Sequence, residues 1–405
     1  MNSVTTHKPF TTPFLSDYIF TPSIIKISDH YISTFDHQLA EYEQVFLNPD
    51  IERSLISKNE LLASFAISKA ENSQLTLKEA QDVYALLVAD PSYDFIGSKL
   101  KTKKKLTQKD HDTLEFFNIV KTFKKFNQHI YPLRTLTPSL VLTIHAELTK
   151  GMDIFKKYIP DFTVYNSGMW RDTDSIRVGE FVPAPYTHIE SGVSELIHWL
   201  QRHPTPTGIA VFHTALYALH PFNNGNKRIC RILEHILLRS IGLNAQNLYS
   251  TSYYYHTEKI RYYKYLLYSL EHTNLNHFVS FMLESLMYSI VSVLKTSIEV
   301  RRSAYIESQS IDTSIKTLIK PLMKKSELQF KQFARYTRGK MARQTLVTYL
   351  RRAVEAGIIE KRVSGRNTYY RLSISIPEEK TLAEWVALAH QKASYLPEDF
   401  ILIPR

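Results

Sequence analysis

Residues 218–234 read Ala-Leu-His-Pro-Phe-Asn-Asn-Gly-Asn-Lys-Arg-Ile-Cys-Arg-Ile-Leu-Glu, which sets one titratable imidazole a short turn ahead of two arginines. His220 carries a side chain whose ordinary pKa lies near working pH, which suits proton transfer. Arg228 and Arg231 are three residues apart, hence on one face of any helix that carries them, and guanidinium groups grip phosphate oxygens as a fork. Between base and arginines, Asn223-Asn224-Gly225 is turn chemistry, because Asn and Gly tolerate left-handed backbone angles. The amides of Gly225, Asn226 and Lys227 would open the second helix, and a helix N-terminus attracts anions through unpaired N–H groups and its dipole. The stretch reads as a polyphosphate site with a base beside it.

Two helices must hold this loop. Ile209 to Leu219 has apolar residues at helical spacing, so His220 falls near a helix C-terminus, and Ile229, Ile232, Leu233 and Ile236 continue as the next helix over 226–241. The same periodicity predicts helices over 35–46, 52–71, 77–89, 109–127, 138–150, 189–201, 255–271 and 275–297. Tyr165 to Tyr186 alternates and ends in Pro183-Ala184-Pro185, which predicts a short β-hairpin. From about Ser310 the pattern becomes three short helices (311–323, 330–336 and 342–356), a strand at 358–362, a turn at Ser364-Gly365-Arg366 and a strand at 368–372. That order predicts a winged helix, and 382–393 adds one more helix. The expected fold class is mainly α: a helical bundle with one hairpin, plus a C-terminal winged-helix domain. The expected domains are 1–108, an N-terminal helical region; 109–300, the core; and 301–405, the winged helix and tail.

Composition narrows the setting. The chain has 405 residues, enough for a large core and more than one domain, and a single cysteine, Cys230, which excludes an intramolecular disulfide and fits a reducing compartment. The N-terminus lacks the basic start and apolar core of a signal peptide, and no apolar run reaches the length of a membrane-spanning helix. A cytoplasmic protein without a membrane partner is expected. The formal net charge is +11. Five of the seven residues from Lys99 to Lys105 are lysine, a solvated loop or helix face. The expected recognition helix carries Lys340, Arg343, Gln344, Arg351 and Arg352, and the wing tip carries Arg366, which suits duplex DNA; a protein partner is the alternative. The sequence does not fix the oligomeric state and leaves a homodimer open.

The central stretch resembles the signature loop of the Fic family, His-Pro-Phe-x-Asp/Glu-Gly-Asn-Gly/Lys-Arg with a second arginine three residues on. The resemblance extends to Trp170-Arg171, Ile176-Arg177-Val178 and Pro183-Ala184-Pro185, which match the family's flap before the catalytic helix pair. Ser252, Tyr253, Tyr262 and Tyr263 resemble its tyrosine-rich helix on the adenine side. Upstream, Glu71-Asn72 resembles the glutamate and asparagine of the family's inhibitory helix, in the class that carries it N-terminal to the core. The resemblance implies an autoinhibited protein adenylyltransferase, moving AMP from ATP to a Ser, Thr or Tyr hydroxyl of a target protein. His220 would be the general base. Gly225, Asn226, Lys227, Arg228 and Arg231 would hold phosphates, Pro221 and Phe222 would anchor the loop, and Glu71 would pair with Arg231. The flap would hold the target's backbone by strand addition. Asn224 departs from the pattern: the family has a carboxylate there for Mg²⁺, and a neutral amide implies weaker Mg²⁺ or Mn²⁺ binding. Lys227 also occurs in Doc-type toxins, which phosphorylate their targets, so phosphoryl transfer is an alternative. A DNA- or protein-binding regulator with a weakened core is another.

Overall fold

The computed structural model describes residues 6–46, 49–71, 73–102 and 105–393, and of 43–46, 49–51, Ser54 and Glu71 the backbone alone. They divide into two compact units, Met1–Ser289 and Ile290–Arg405. The first is built from α1 (Asp29–Phe46), α2 (Pro49–Ser68), α3 (Leu77–Ala89), α4 (Phe95–Thr102), α5 (Gln108–Asn127), α6 (Pro138–Leu148), α7 (Ile189–Arg202), α8 (Pro206–Leu219), α9 (Asn226–Ser240), α10 (Thr251–Thr257) and α11 (Lys259–Glu271). The long helix α12 (Asn276–Ser308) begins in this unit and continues into the second.

Local chemistry starts these helices where the site needs them. Thr76 with Glu79 and Thr107 with Asp110 form capping boxes on α3 and α5. Thr137 and Thr205 cap α6 and α8, each followed by a proline at the first helical position. Helix α8 is apolar almost all round, and every residue except Thr207 is buried, as expected of a central core helix. It packs between α7 and α9, while α6 and α2 lie against α9. On α7, a Cβ at Gly192 would come within 2.8 Å of Leu219 Cδ2, so glycine lets α7 approach the end of α8 that carries His220.

Several expectations need correction. Helix α4 falls on a stretch with no periodicity clear enough to predict it; it holds Lys99 and Lys101 on one short helix whose Phe95 joins the core. The helix expected over 255–271 breaks at Glu258 into α10 and α11. The flap hairpin shrinks to one pair: Val178 and Phe181 exchange two 3.1 Å backbone bonds around Gly179, whose φ is 60°. The ladder stops there for a physical reason. Pro183 and Pro185 have no N–H to donate, and the Arg177 guanidinium takes the carbonyls of Asp174 and Ile176 at 2.8 Å each. Finally, α12 is long and apolar enough to cross a membrane by length and composition, contrary to the expectation that no segment is. Its most apolar window is 83% buried, as in the core helix of a folded protein.

The second unit contains α13 (Thr313–Ile319), β1 (Leu328–Gln329), α14 (Phe330–Tyr336), α15 (Arg343–Glu355), β2 (Ile359–Ser364), β3 (Asn367–Leu372) and α16 (Glu378–Lys392). The strands form an antiparallel sheet in the order β1-β3-β2. Ser364 faces Asn367, so Gly365-Arg366 is a two-residue turn, and Leu328 faces Tyr370. Leu346, Leu350 and Ala353 of α15 join Ile315, Leu318, Phe333, Ile359 and Tyr370 in one core.

Candidate active site

His220 ends α8 in the left-handed conformation, φ 49° and ψ 60°, which turns the chain sharply toward α9. For a non-glycine residue this conformation costs about 1–3 kcal/mol and persists only where its surroundings impose it. They do so here. Arg171, itself buried, donates from Nε to the His220 carbonyl at 2.7 Å and from Nη2 to the Leu219 carbonyl at 3.3 Å. Its Nη1 reaches the Thr173 carbonyl at 2.6 Å and Asp174 at 3.2 Å, and Nη2 also donates to the Ala184 carbonyl. One guanidinium therefore ties the histidine's backbone to the flap segment at Ala184. Pro183 and Ala184 are buried and Pro185 is exposed.

The far end of the loop is held by a histidine. His145 on α6 is fully buried; its Nδ1 accepts from the Gly168 N–H at 3.1 Å, so Nε2 carries the proton and donates to the Asn224 carbonyl at 3.0 Å. Its ring stacks on Phe222 with centroids 3.7 Å apart and planes 8° apart. Burial, helped by the nearby Arg228 charge, pushes the His145 pKa down to about 4, so the ring is neutral at working pH. Between these clamps Asn226 latches the loop to itself: its Oδ1 accepts from the Phe222 N–H at 3.0 Å and its Nδ2 donates to the Phe222 carbonyl at 2.7 Å. Phe222 is fully buried, and Gly225 enters α9 at φ 87°.

The two arginines point to different partners. Arg228 Nη1 meets Glu115 Oε2 of α5 at 2.8 Å with both residues buried, and its Nη2 lies 3.1 Å from Asn224 Oδ1 and 3.4 Å from the Tyr165 hydroxyl. Arg231 is equally buried; it donates from Nη1 to the Ala66 carbonyl at 3.1 Å, and its guanidinium lies over the rings of Tyr262 at 4.5 Å and Tyr255 at 5.3 Å. Among the described residues no carboxylate pairs with Arg231, and its Nε has no partner. A cleft of about 450 Å³ opens on the Arg228 side, lined by Glu115, Asp112, His111, Tyr165 and Asn224.

The remaining candidates are placed as follows. Asn224 Oδ1 accepts from the Gly225 N–H at 2.8 Å as well as from Arg228, so one loop amide is already engaged. Lys227 lies over the Tyr263 ring at 5.2 Å, and the Tyr263 hydroxyl donates to the Ala70 carbonyl at 2.7 Å. Tyr253 is exposed, whereas Ser252 and Tyr262 are buried. The backbone of Glu71 lies in a short 3-10 turn, Lys69–Glu71, packed on α9; its side chain and the whole of Asn72 lie outside the described residues. Sequence reasoning passed over His145 as a positioning residue, although it sits on the buried face of α6 with Val141, Ile144 and Leu148, where a polar ring needs a partner. It also passed over Glu115, a buried acid on α5.

Residues 135–238, which include His145, Arg171 and the whole loop, match the Fic/DOC family. A probable protein adenylyltransferase of Aquifex aeolicus is 26% identical over 136 residues, 32% of this chain and 39% of that protein. The protein adenylyltransferase fic-1 of Caenorhabditis elegans is 26% identical over 117 residues, 27% of this chain and 23% of that protein. The chain thus spans well under half the length of either curated relative. Among solved structures, a Fic family protein from Desulfovibrio desulfuricans G20 aligns over 91% of this chain and 99% of its own, with a TM-score of 0.49 and 19% identity. A Fic domain containing signaling protein from Bacteroides thetaiotaomicron aligns over 69% of this chain at a TM-score of 0.48 and 17% identity.

Proposed function

We propose that the Fic domain is a protein adenylyltransferase. The observation that carries this reading is Arg231, a buried cation without a carboxylate among the described residues, less than two turns into a helix whose N-terminus opens beside His220. A buried charge without a counter-charge is costly, and a phosphate group would supply one. ATP is the proposed donor. The target hydroxyl oxygen bonds to the α-phosphorus, the bond from that phosphorus to the bridging oxygen breaks, pyrophosphate leaves with the electron pair, and His220 takes the hydroxyl proton. Arg231 and the α9 amides offset charge on the outer phosphates. Arg171 and His145 act on neither group directly; they fix the two carbonyls that set the loop's shape.

ATP usually arrives with a divalent cation, and the residues here do not fit one at position 224. The Asn224 oxygen already faces two N–H donors, the Gly225 amide and the Arg228 guanidinium, and no cluster of three His, Cys, Asp or Glu among the described residues could hold a metal. A cation at that oxygen would have to displace a guanidinium.

Inhibition by the N-terminal segment belongs to the same proposal. The end of α2 lies against Arg231 through the Ala66 carbonyl, and Tyr263 holds the turn that follows through Ala70. From there Glu71 would supply the missing counter-charge and exclude the outer phosphate. The test is incubation with ATP labelled on the α- or the γ-phosphate, using wild type, Glu71→Gly and Glu71→Gly/His220→Ala. Label on protein from the α-position only, stronger in Glu71→Gly and lost with His220→Ala, is the expected result. Label from the γ-position would instead establish phosphoryl transfer.

A further inference from the structure

The second unit has a charge distribution that the proposed transferase does not use. Between Lys320 and Leu372 the chain carries fourteen Lys and Arg against three Glu. Each of the three acids is taken by an arginine: Glu327 by Arg362 at 2.7 Å, Glu360 by Arg371 at 2.6 Å, and Glu355 by Arg351 at 3.6 Å. The pairs on Arg362 and Arg371 leave Lys361 as the one strand cation without a carboxylate among the described residues. Arg335, Arg338, Lys340 and Arg343, from the end of α14 to the start of α15, are all exposed, and so is Arg366 at the turn between β2 and β3. None of these five has a carboxylate partner among the described residues.

Helix α15 shows why this cluster is more than a solvated face. Leu346, Leu350 and Ala353 are buried in the core, which turns Arg343, Gln344, Val347 and Arg351 outward in a stripe along the opposite side. Arg offers paired donors to a guanine edge and Gln a donor and an acceptor to an adenine edge, and an exposed valine can meet a thymine methyl group. Flanking cations on a short helix pair and on a hairpin turn match a duplex backbone on either side of a groove. The major groove of B-form DNA admits a helix; that of A-form RNA is too deep and narrow. The exposed large apolar residues nearby are three, Tyr336, Val347 and Val363, outnumbered by the five exposed cations, which favours a polyanionic partner over one held by apolar contact.

We infer that the surface formed by the α14–α15 turn, the exposed stripe of α15 and Arg366 binds duplex DNA. This is the partner that a winged-helix reading of the unit would also give it, and the inference does not depend on the transferase reading. The test uses the full chain and fluorescence anisotropy with a labelled duplex of about two helical turns, read from about 50 to 200 mM salt. Wild type should bind with an affinity that falls steeply as salt rises. Lys340→Glu/Arg343→Glu should weaken binding at least about tenfold and reduce the log–log salt slope by about two. Lys380→Glu/Lys392→Glu on α16, the same change in net charge elsewhere on the unit, should leave binding within about twofold. Equal weakening by both double variants would mean a diffuse charge effect and would overturn the assignment. So would absence of binding at low salt, or preference for single-stranded or A-form RNA competitor.

Discussion

Arg228 and Arg231 sit on the same helix, three residues apart and equally buried, yet their surroundings differ in kind. Arg228 is compensated: a carboxylate on α5, an amide oxygen and a phenol surround it. Arg231 has one backbone carbonyl and two aromatic faces. Cation–π contact contributes about 0.5–2 kcal/mol and cannot replace a counter-ion. The difference separates two jobs that the sequence had assigned jointly. On the proposed reading Arg228 joins α5 to the loop as scaffold, whereas Arg231 is the cation left for a ligand or for Glu71.

Substitutions should split along that line. Arg228→Met leaves Glu115 buried without its cation and should lower stability by about 3–5 kcal/mol, read by chemical denaturation; adding Glu115→Leu should restore most of it. The clamp at the loop's far end predicts a pH dependence of similar size. The His145 pKa is depressed from 6.5 to about 4 in the folded state, so the unfolded chain binds more protons between those values. Its contribution, about 3 kcal/mol, is full above pH 6.5 and lost as pH falls toward 4. His145→Gln should flatten that part of the stability profile. His235, depressed to about 3 by burial and Arg239, adds a second component over a similar window that should persist in the variant. Smaller still is the effect of restoring an acid: Asn224→Asp should make the melting temperature rise by a few degrees with Mg²⁺, where wild type shows no such shift. A wild type stabilised by Mg²⁺ to the same extent would break the distinction drawn at position 224.

The loop was legible because its parts are local. The turn chemistry of Asn223-Asn224-Gly225 and the helical spacing on both sides give His220 at a helix end and Gly225 at a helix start, as the structure has them. What holds the loop was not legible. Glu115 is 113 residues from Arg228 and His145 is 79 residues from Asn224 in sequence, and no spacing rule links such pairs. Equal spacing likewise said that the arginines share a helix face, but partners came from different neighbouring helices. In the flap, alternation suggested strands, and side chains that compete for the backbone carbonyls left a single bridge. Helix α4 escaped notice because its lysine run obscured the apolar anchor at Phe95.

The most direct test of the division between the arginines is a calorimetric titration of a non-hydrolysable ATP analogue into Glu71→Gly and Glu71→Gly/Arg231→Met, so that Glu71 cannot act as the counter-charge, with the melting temperature of each protein measured alongside. Loss of a charge-assisted contact should weaken binding at least about tenfold. The apo melting temperature should stay level or rise, because a buried uncompensated charge has been removed. Unchanged affinity together with a large fall in melting temperature would show that Arg231 is scaffold like Arg228, and would contradict the account.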